Sequence, residues 1–91
     1  MLVVSRLIPN PLTRTSSLRL GLPTQASVEV VLFDVQGRLV RKLVTGELAA
    51  GFHELRWDGE DGNRNRVGAG VYFCSISVNG KKVVRRAVVV R

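Results

Sequence analysis

The fold is decided by residues 51–73, whose sequence is GFHELRWDGEDGNRNRVGAGVYF. From His53 to Trp57, side chains suited to a core occupy every second position, which is the period of a half-buried strand. The Asp-Gly pairs at 58–59 and 61–62 predict a turn, because Asp hydrogen-bonds its own backbone and Gly accepts positive φ. An apolar strand follows from Val71 to Val78. We therefore predict a hairpin at the centre of the core, with four anchoring side chains: Trp57, Tyr72, Phe33 and Leu55.

The rest of the chain contains five further segments with strand character: Met1–Ile8, Leu18–Leu22, Ser27–Val35, Arg38–Val44 and Lys81–Arg91. Met1–Ile8 is interpreted as either an edge strand or the remnant of a linker. Ser27–Val35 is apolar on both faces, so we expect a central strand that is covered on both sides. Asn79-Gly80 predicts a type I′ turn, whereas Thr45–Gly51 predicts a loop between two glycines. About seven short strands without a helix predict an all-β fold, an antiparallel two-sheet sandwich.

Length and composition indicate one globular domain that spans residues 1–91. The single cysteine, Cys74, excludes an internal disulfide, and we expect it to be a small buried thiol. No apolar run is long enough to span a membrane. Residues 1–4 are too short an apolar run for a signal peptide. The chain is therefore expected to be either cytoplasmic or a module of a longer exported protein.

The charge is strongly positive, with fourteen Lys and Arg residues against seven Asp and Glu residues. Such a balance is compatible with binding to nucleic acid, anionic glycans or a membrane surface. Most of these cations are scattered, which favours a soluble, arginine-rich surface. They cluster only at Lys81-Lys82 and Arg85-Arg86, and no exposed aromatic residue is interleaved with them. Nucleic acid is therefore disfavoured as a partner, because proteins bind single strands through aromatic stacking platforms.

Residues that could carry catalysis or bind metal are few. His53 is the only histidine, and we expect it to be bonded to backbone at the rim of the core. A catalytic pair of His53 and Cys74 is disfavoured, because both point inward and no oxyanion hole is recognisable. One Cys and one His cannot supply a zinc site. Asp58–Asn63 is rich in oxygen ligands but lacks the spacing of a calcium loop, so a turn is favoured. We predict no enzyme, no cofactor and no metal site.

Six blocks of the sequence, taken in order, form a recognisable set: Asn10-Pro11-Leu12, Leu18–Pro23, Val30–Arg38, Gly46–His53, Trp57–Phe73 and Arg85–Arg91. With these blocks the chain resembles the type A sorting domains of the type IX secretion system and the related Ig-like module of the flagellar hook-capping protein. The similarity runs from about Leu7 to Arg91. It departs at Leu12, where an aromatic residue is usual, at Thr13-Arg14, and near Asn65, where a turn glycine is usual.

The resemblance implies a small Ig-like, fibronectin III-like sandwich and a non-enzymatic role in protein export. The chain would be the C-terminal module of a larger secreted or cell-surface protein, and its end at Arg91 agrees with that role. The secretion machinery would recognise the folded unit together with its last strand. The residues expected to bind this partner are Lys81, Lys82, Arg85, Arg86, Val88, Val89, Val90 and Arg91.

Two other functions remain open at this stage. The terminal segments Met1–Ile8 and Lys81–Arg91 are both β-prone, and either could pair with an open sheet edge of a neighbouring copy. The protein would then be a homo-oligomeric filament or scaffold subunit. A basic module that binds glycans or nucleic acid is the third alternative, and a steep dependence on salt would identify it.

Overall fold

The computed structural model describes residues 2–90, and within them it contains seven strands and no helix. The strands are β1 (Val3–Val4), β2 (Ser16–Leu22), β3 (Ala26–Asp34), β4 (Leu39–Leu48), β5 (Gly51–Trp57), β6 (Gly70–Val78) and β7 (Lys81–Val89). They form a three-stranded sheet in the order β1-β2-β5 and a four-stranded sheet in the order β4-β3-β6-β7. All pairings are antiparallel. The predicted all-β, Ig-like sandwich is therefore confirmed. No helix of residues 2–90 is long and apolar enough to cross a membrane.

The core lies between the two sheets and is built by alternating residues. Leu18, Leu20 and Leu22 on β2 are at most 4% exposed, as their period of two requires. They face the buried alternate residues of β3 from Val28 to Leu32 across the sandwich. Strand β3 is central, between β4 and β6, as predicted. The expectation that both of its faces are covered is wrong, because the other sheet covers only one face. On the outer face Glu29 is exposed and Phe33 is half-buried.

The prediction that residues 51–73 form a hairpin is wrong. Strand β5 pairs with β2, from Ser16 opposite Trp57 to Leu22 opposite Gly51. Strand β6 pairs with β3 and β7 in the other sheet. Residues 58–69 therefore carry the chain from one sheet to the other. Alternation specifies which side of a strand is buried but not which strand lies beside it, and this is why the sequence misled.

Two aromatic side chains join the sheets where this crossover begins and ends. The Trp57 ring is fully buried and meets the Tyr72 ring edge-on, with centroids 5.5 Å apart and planes at 63°. The Trp57 Nε1–H donates to the Glu60 carbonyl oxygen at 2.9 Å. The Tyr72 hydroxyl donates to the Gly68 carbonyl oxygen at 2.7 Å, which is the tyrosine corner of Ig-like sandwiches. These bonds fix both ends of the crossover on the core.

Two further expectations need correction. The predicted loop Thr45–Gly51 is mostly strand, because β4 continues to Leu48 and only Ala49 and Ala50 separate it from β5. Of the expected core anchors, Trp57 and Leu55 are buried and Tyr72 is half-buried against the core. Phe33 is only half-buried and lies on the outer face of the four-stranded sheet opposite Phe73, so it does not anchor the core.

The tight turns follow the sequence closely. Asn79 and Gly80 have φ of 49° and 85°, and Val78 pairs with Lys81, as the type I′ turn requires. Gly37 has the expected positive φ of 81°. Arg64 also has a positive φ, 69°, which an L-residue adopts only at a cost.

Candidate partner-binding groove

Val4 and Ser5 are held against the last strand by one arginine. The Arg85 guanidinium donates to the Val4 carbonyl oxygen at 2.9 Å and to the Ser5 carbonyl oxygen at 3.3 Å. Val3 and Val4 in turn pair with β2, so Met1–Ile8 contains a true edge strand over those two residues. Strands β1 and β7 belong to different sheets, and Arg85 therefore closes the sandwich along this side.

Asn10 and Leu12 cover part of the outer edge of β7. The Asn10 side chain bonds the backbone of β7 twice, donating from Nδ2 to the Arg86 carbonyl oxygen at 3.0 Å and accepting from the Val88 amide at 2.8 Å. The Leu12 backbone continues this pairing with Val88 and Val90 in the parallel sense. A side-chain amide presents a donor and an acceptor like those of a peptide group, which explains the need for Asn at this position.

A groove lies between this N-terminal segment and β7. Its volume is about 550 Å³. Leu7 is buried, whereas Ile8 is 68% exposed and Val84 is 50% exposed. The groove thus combines apolar contacts with several guanidinium groups. Its lining residues are Arg6, Leu7, Ile8, Asn10, Val84, Arg85 and Arg86.

The groove contains only part of the predicted partner-binding set. Of these residues, Arg85 and Arg86 line it, while Lys81 and Lys82 are exposed at the start of β7. Val88 is half-buried, Val89 is 1% exposed in the core, and Val90 is 40% exposed. Arg91 lies outside the residues that the structure describes. The described residues of the predicted partner-binding set are therefore divided between a groove wall, an exposed strand end and the core.

The charges of the molecule are segregated along the chain. All seven acidic residues lie between Glu29 and Asp61, whereas ten of the fourteen cations lie outside that range, three before it and seven after it. The four ion pairs found among residues 2–90 all use cations from Arg38 to Arg64. Within the described chain, the cations near β7 thus have no acidic partner, and this side of the sandwich carries a positive field.

The other candidate side chains do not form a reactive site. The His53 Nε2–H donates to the Ala49 carbonyl oxygen at 2.8 Å, which confirms its bond to backbone. Burial raises the pKa of the Cys74 thiol to about 12, so it stays protonated at neutral pH.

The carboxylates of the turn that follows β5 are used within the fold. One carboxylate oxygen of Asp58 accepts a bond from the Arg41 guanidinium. One carboxylate oxygen of Asp61 accepts bonds from the backbone amides of Asn63 and Asn65. Residues 2–90 contain no cluster of three His, Cys, Asp or Glu side chains that could hold a metal ion.

Sequence reasoning missed the N-terminal half of the groove. Arg6, Ile8 and Asn10 come to β7 only through the tertiary fold, and the bonds that join this segment to β7 span 76 to 81 residues of sequence. Two signals were nevertheless present. The Asn10-Pro11 pair stands out in a chain with three prolines, and both ends of the chain lack acidic residues.

Comparison with known proteins supports the Ig-like fold. The family model of the FlgD Ig-like domain matches residues 9–82. The chain belongs to the FlgD Ig-like domain family. This match confirms the resemblance to the Ig-like module of the hook-capping protein. Most of the groove lies outside the matched residues 9–82 of this chain, since Arg6–Ile8 and Val84–Arg86 are not part of the match.

Two solved structures show the same fold. FlgD from P. aeruginosa is similar with a TM-score of 0.56 and 28% identity, and the match covers 93% of this chain and 68% of that one. The dimeric latent form of PorU from Porphyromonas gingivalis is similar with a TM-score of 0.75 and 23% identity, which shows the fold alone. The match covers 96% of this chain but only 9% of PorU. No curated protein matches the chain.

Proposed function

We propose that this FlgD Ig-like domain is a non-enzymatic sorting module of a larger exported protein, located in the secreted or cell-surface fraction. The type IX secretion machinery would recognise it as a folded unit through the side formed by β7 and residues 4–12. The observation that carries the proposal is the positive charge of this side, where Arg6, Lys82 and Arg86 have no ion-pair partner among residues 2–90.

Two features of the molecule support a recognition role rather than a catalytic one. His53 is bonded to backbone and the Cys74 thiol is buried, so neither offers a nucleophile or a base to a substrate. The likeness to 9% of the much longer PorU chain is compatible with a small module attached to a large protein. Both features agree with the sorting domains that the sequence resembles.

The experiment is export of a reporter. The chain is fused behind a periplasmic reporter protein in a bacterium that has a type IX secretion system, and the reporter is measured in the periplasm, on the surface and in the medium. We expect the wild-type fusion to leave the periplasm. A fusion carrying Trp57→Ala, which destabilises the fold, should stay there. Equal export of both fusions, or of neither, would contradict recognition of a folded module.

A structural module that assembles by strand addition is the second candidate, and the edge of β4 favours it. Strand β4 is an outer strand of the four-stranded sheet, and no other strand of residues 2–90 pairs with its outer edge, which the Gly62 amide bonds at the Val40 carbonyl oxygen. The terminal segments are less suitable, because β1 already pairs with β2 and Leu12 already covers part of β7. Light scattering across a concentration series separates the two candidates. A monomer throughout supports the sorting module, whereas oligomers that persist at high salt support strand addition.

A further inference from the structure

One part of the edge of β7 is open. At this edge, Asn10 and Leu12 bond the Arg86 carbonyl oxygen, both backbone groups of Val88 and the Val90 amide. Because alternate residues of a strand direct their amide and carbonyl groups to the same edge, those of Lys82 and Val84 face it too. On this edge, no backbone segment among residues 2–90 pairs with either of these two residues, although the Val84 carbonyl oxygen accepts a bond from the Arg85 guanidinium at 3.3 Å. An open edge of this kind can accept an extended peptide as an added strand.

The groove lies directly beside this open edge. Val84 belongs to both, and its side chain and that of Ile8 supply exposed apolar contacts. Arg6 and Arg86 line the same groove and are exposed. Arg85 is different, because its guanidinium already bonds the Val4 and Ser5 carbonyl oxygens and holds the N-terminal segment in place. The groove thus has a strand edge, two apolar contacts and two uncommitted cations.

We propose that this groove binds an extended, acidic segment of a partner protein by β-strand addition at Lys82 and Val84. Carboxylates of the segment pair with Arg6 and Arg86, and its apolar residues contact Ile8 and Val84. The choice of an acidic occupant comes from charge complementarity, since the groove contains cations and no acidic residue.

A peptide is favoured over a nucleic acid because the groove offers backbone hydrogen bonds and no aromatic side chain for base stacking. This inference deepens the proposed function and rests on it only in taking the partner to be a protein. It names the chemistry by which the β7 side would be recognised.

The test is direct binding by fluorescence anisotropy. The probe is a fluorescein-labelled, eight-residue peptide in which Val alternates with Glu. Two control peptides replace Glu by Gln or carry N-methylated Val residues, which cannot donate backbone hydrogen bonds. The protein variants are Arg6→Glu and Arg86→Glu. The matched control is Lys42→Glu, which makes the same charge change on β4 at the opposite edge of the same sheet.

We expect the acidic peptide to bind and both control peptides to bind more weakly. Arg6→Glu and Arg86→Glu should each weaken binding by roughly threefold to thirtyfold, because an exposed attraction is replaced by a repulsion. Lys42→Glu should change it by less than about twofold. Strands β4 and β7 lie three strand spacings apart in the sheet, roughly 14 Å, which exceeds the Debye length of about 8 Å at physiological salt.

Three results would overturn the proposal. The first is no measurable binding at millimolar peptide. The second is equal weakening by Lys42→Glu, which would leave only a net-charge effect. The third is tighter binding of a single-stranded oligonucleotide of equal charge, which would assign the surface to nucleic acid. The outcome is independent of export, so a module that binds the peptide but fails to export a reporter would refute the sorting role alone.

Discussion

Removal of the indole ring at Trp57 should be among the most damaging single changes to this fold. The side chain is fully buried, its Nε1–H bonds the Glu60 carbonyl oxygen, and its ring contacts Tyr72 edge-on. Truncation of a buried Trp to Ala costs about 3–5 kcal/mol, and the aromatic contact places this site in the upper half of that range. A domain of this length has a free energy of unfolding of roughly 5–14 kcal/mol. We therefore expect Trp57→Ala to lose about 4 kcal/mol.

The same strand provides the control. Phe52 also lies on β5 but on the opposite face, where it is 63% exposed and carries the Arg19 guanidinium 4.4 Å from its ring centroid. Phe52→Ala should therefore cost at most about 1 kcal/mol, the value of an exposed cation–π contact. Both variants are compared by urea denaturation followed by far-ultraviolet circular dichroism, because the tryptophan fluorescence is lost in one of them.

The comparison can refute the assignment of the core. A loss below about 1.5 kcal/mol in Trp57→Ala would show that the two sheets do not depend on the indole for their packing. Equal losses in both variants would show that the two faces of β5 are not divided into buried and exposed. If Trp57→Ala does not fold, Trp57→Phe keeps the test available, with an expected loss of about 2 kcal/mol.

Three further changes test separate parts of the structure. Asn10→Ala removes both side-chain bonds to β7 and should cost about 1–2 kcal/mol in the same assay, whereas Asn63→Ala should stay within about 0.5 kcal/mol; equal effects would contradict the role of Asn10. Arg64→Gly should stabilise the fold by about 0.5–1 kcal/mol, because glycine adopts a φ of 69° without steric cost, and a loss of stability would contradict this. Cys74 should react with a thiol reagent at pH 8 only as fast as the protein unfolds, and rapid native-state labelling would refute its burial. Its pKa also predicts that the contribution of Cys74 to the free energy of unfolding is full below pH 9.0 and is lost as the pH rises towards about 12, because the unfolded thiol ionises first. In urea denaturation at a series of pH values, Cys74→Ala should lose less stability over this range than the wild type, and equal losses would contradict the assignment.

The strands could be predicted from the sequence because their signals are local. Alternation at Leu18–Leu22 and the two apolar faces of β3 each depend on neighbouring residues in the chain. The same is true of the Asn79-Gly80 turn, whose backbone conformation is set by those two residues. Elements with such signals have the positions that the sequence predicts.

Strand partners could not be predicted in the same way. The residues that join β5 to β6 contain turn signals, and these signals are the same for a hairpin and for a crossover between sheets. What distinguishes the two is the choice of β2 as the neighbour of β5, which buries Leu18 and Leu20 beside Leu55. That choice depends on packing across the whole sandwich and has no local sequence signal.

Glycine misled at the end of β4. Gly46 suggested a loop, yet it pairs with Val28 inside the strand at a φ of 135°, a conformation that favours glycine. Glycine inside a strand can mark an irregularity of the strand as well as its end. A Cβ atom added at Gly46 would have no atom of a non-adjacent residue within 4 Å, so there is room for a side chain. The backbone conformation therefore explains why glycine occupies this position.

Only one of the two walls of the groove could be predicted from the sequence. The cations at 81–82 and 85–86 are visible as pairs in the sequence, and the structure places Arg86 in the groove. The opposite wall comes from Arg6 and Ile8, whose approach to β7 depends on the bonds from Arg85 and Asn10. A prediction of that wall needs the sandwich first, because the two walls are at opposite ends of the chain.

The measurement that tests the account most directly is export of the reporter fusion with its charges changed one at a time. The account predicts that Arg86→Glu in the module reduces the fraction of reporter outside the periplasm, while Lys42→Glu leaves it close to that of the wild-type fusion. Both variants must first unfold at the same urea concentration as the wild type, since both residues are exposed. Export that is unchanged by Arg86→Glu, or reduced equally by Lys42→Glu, would contradict recognition through the β7 side.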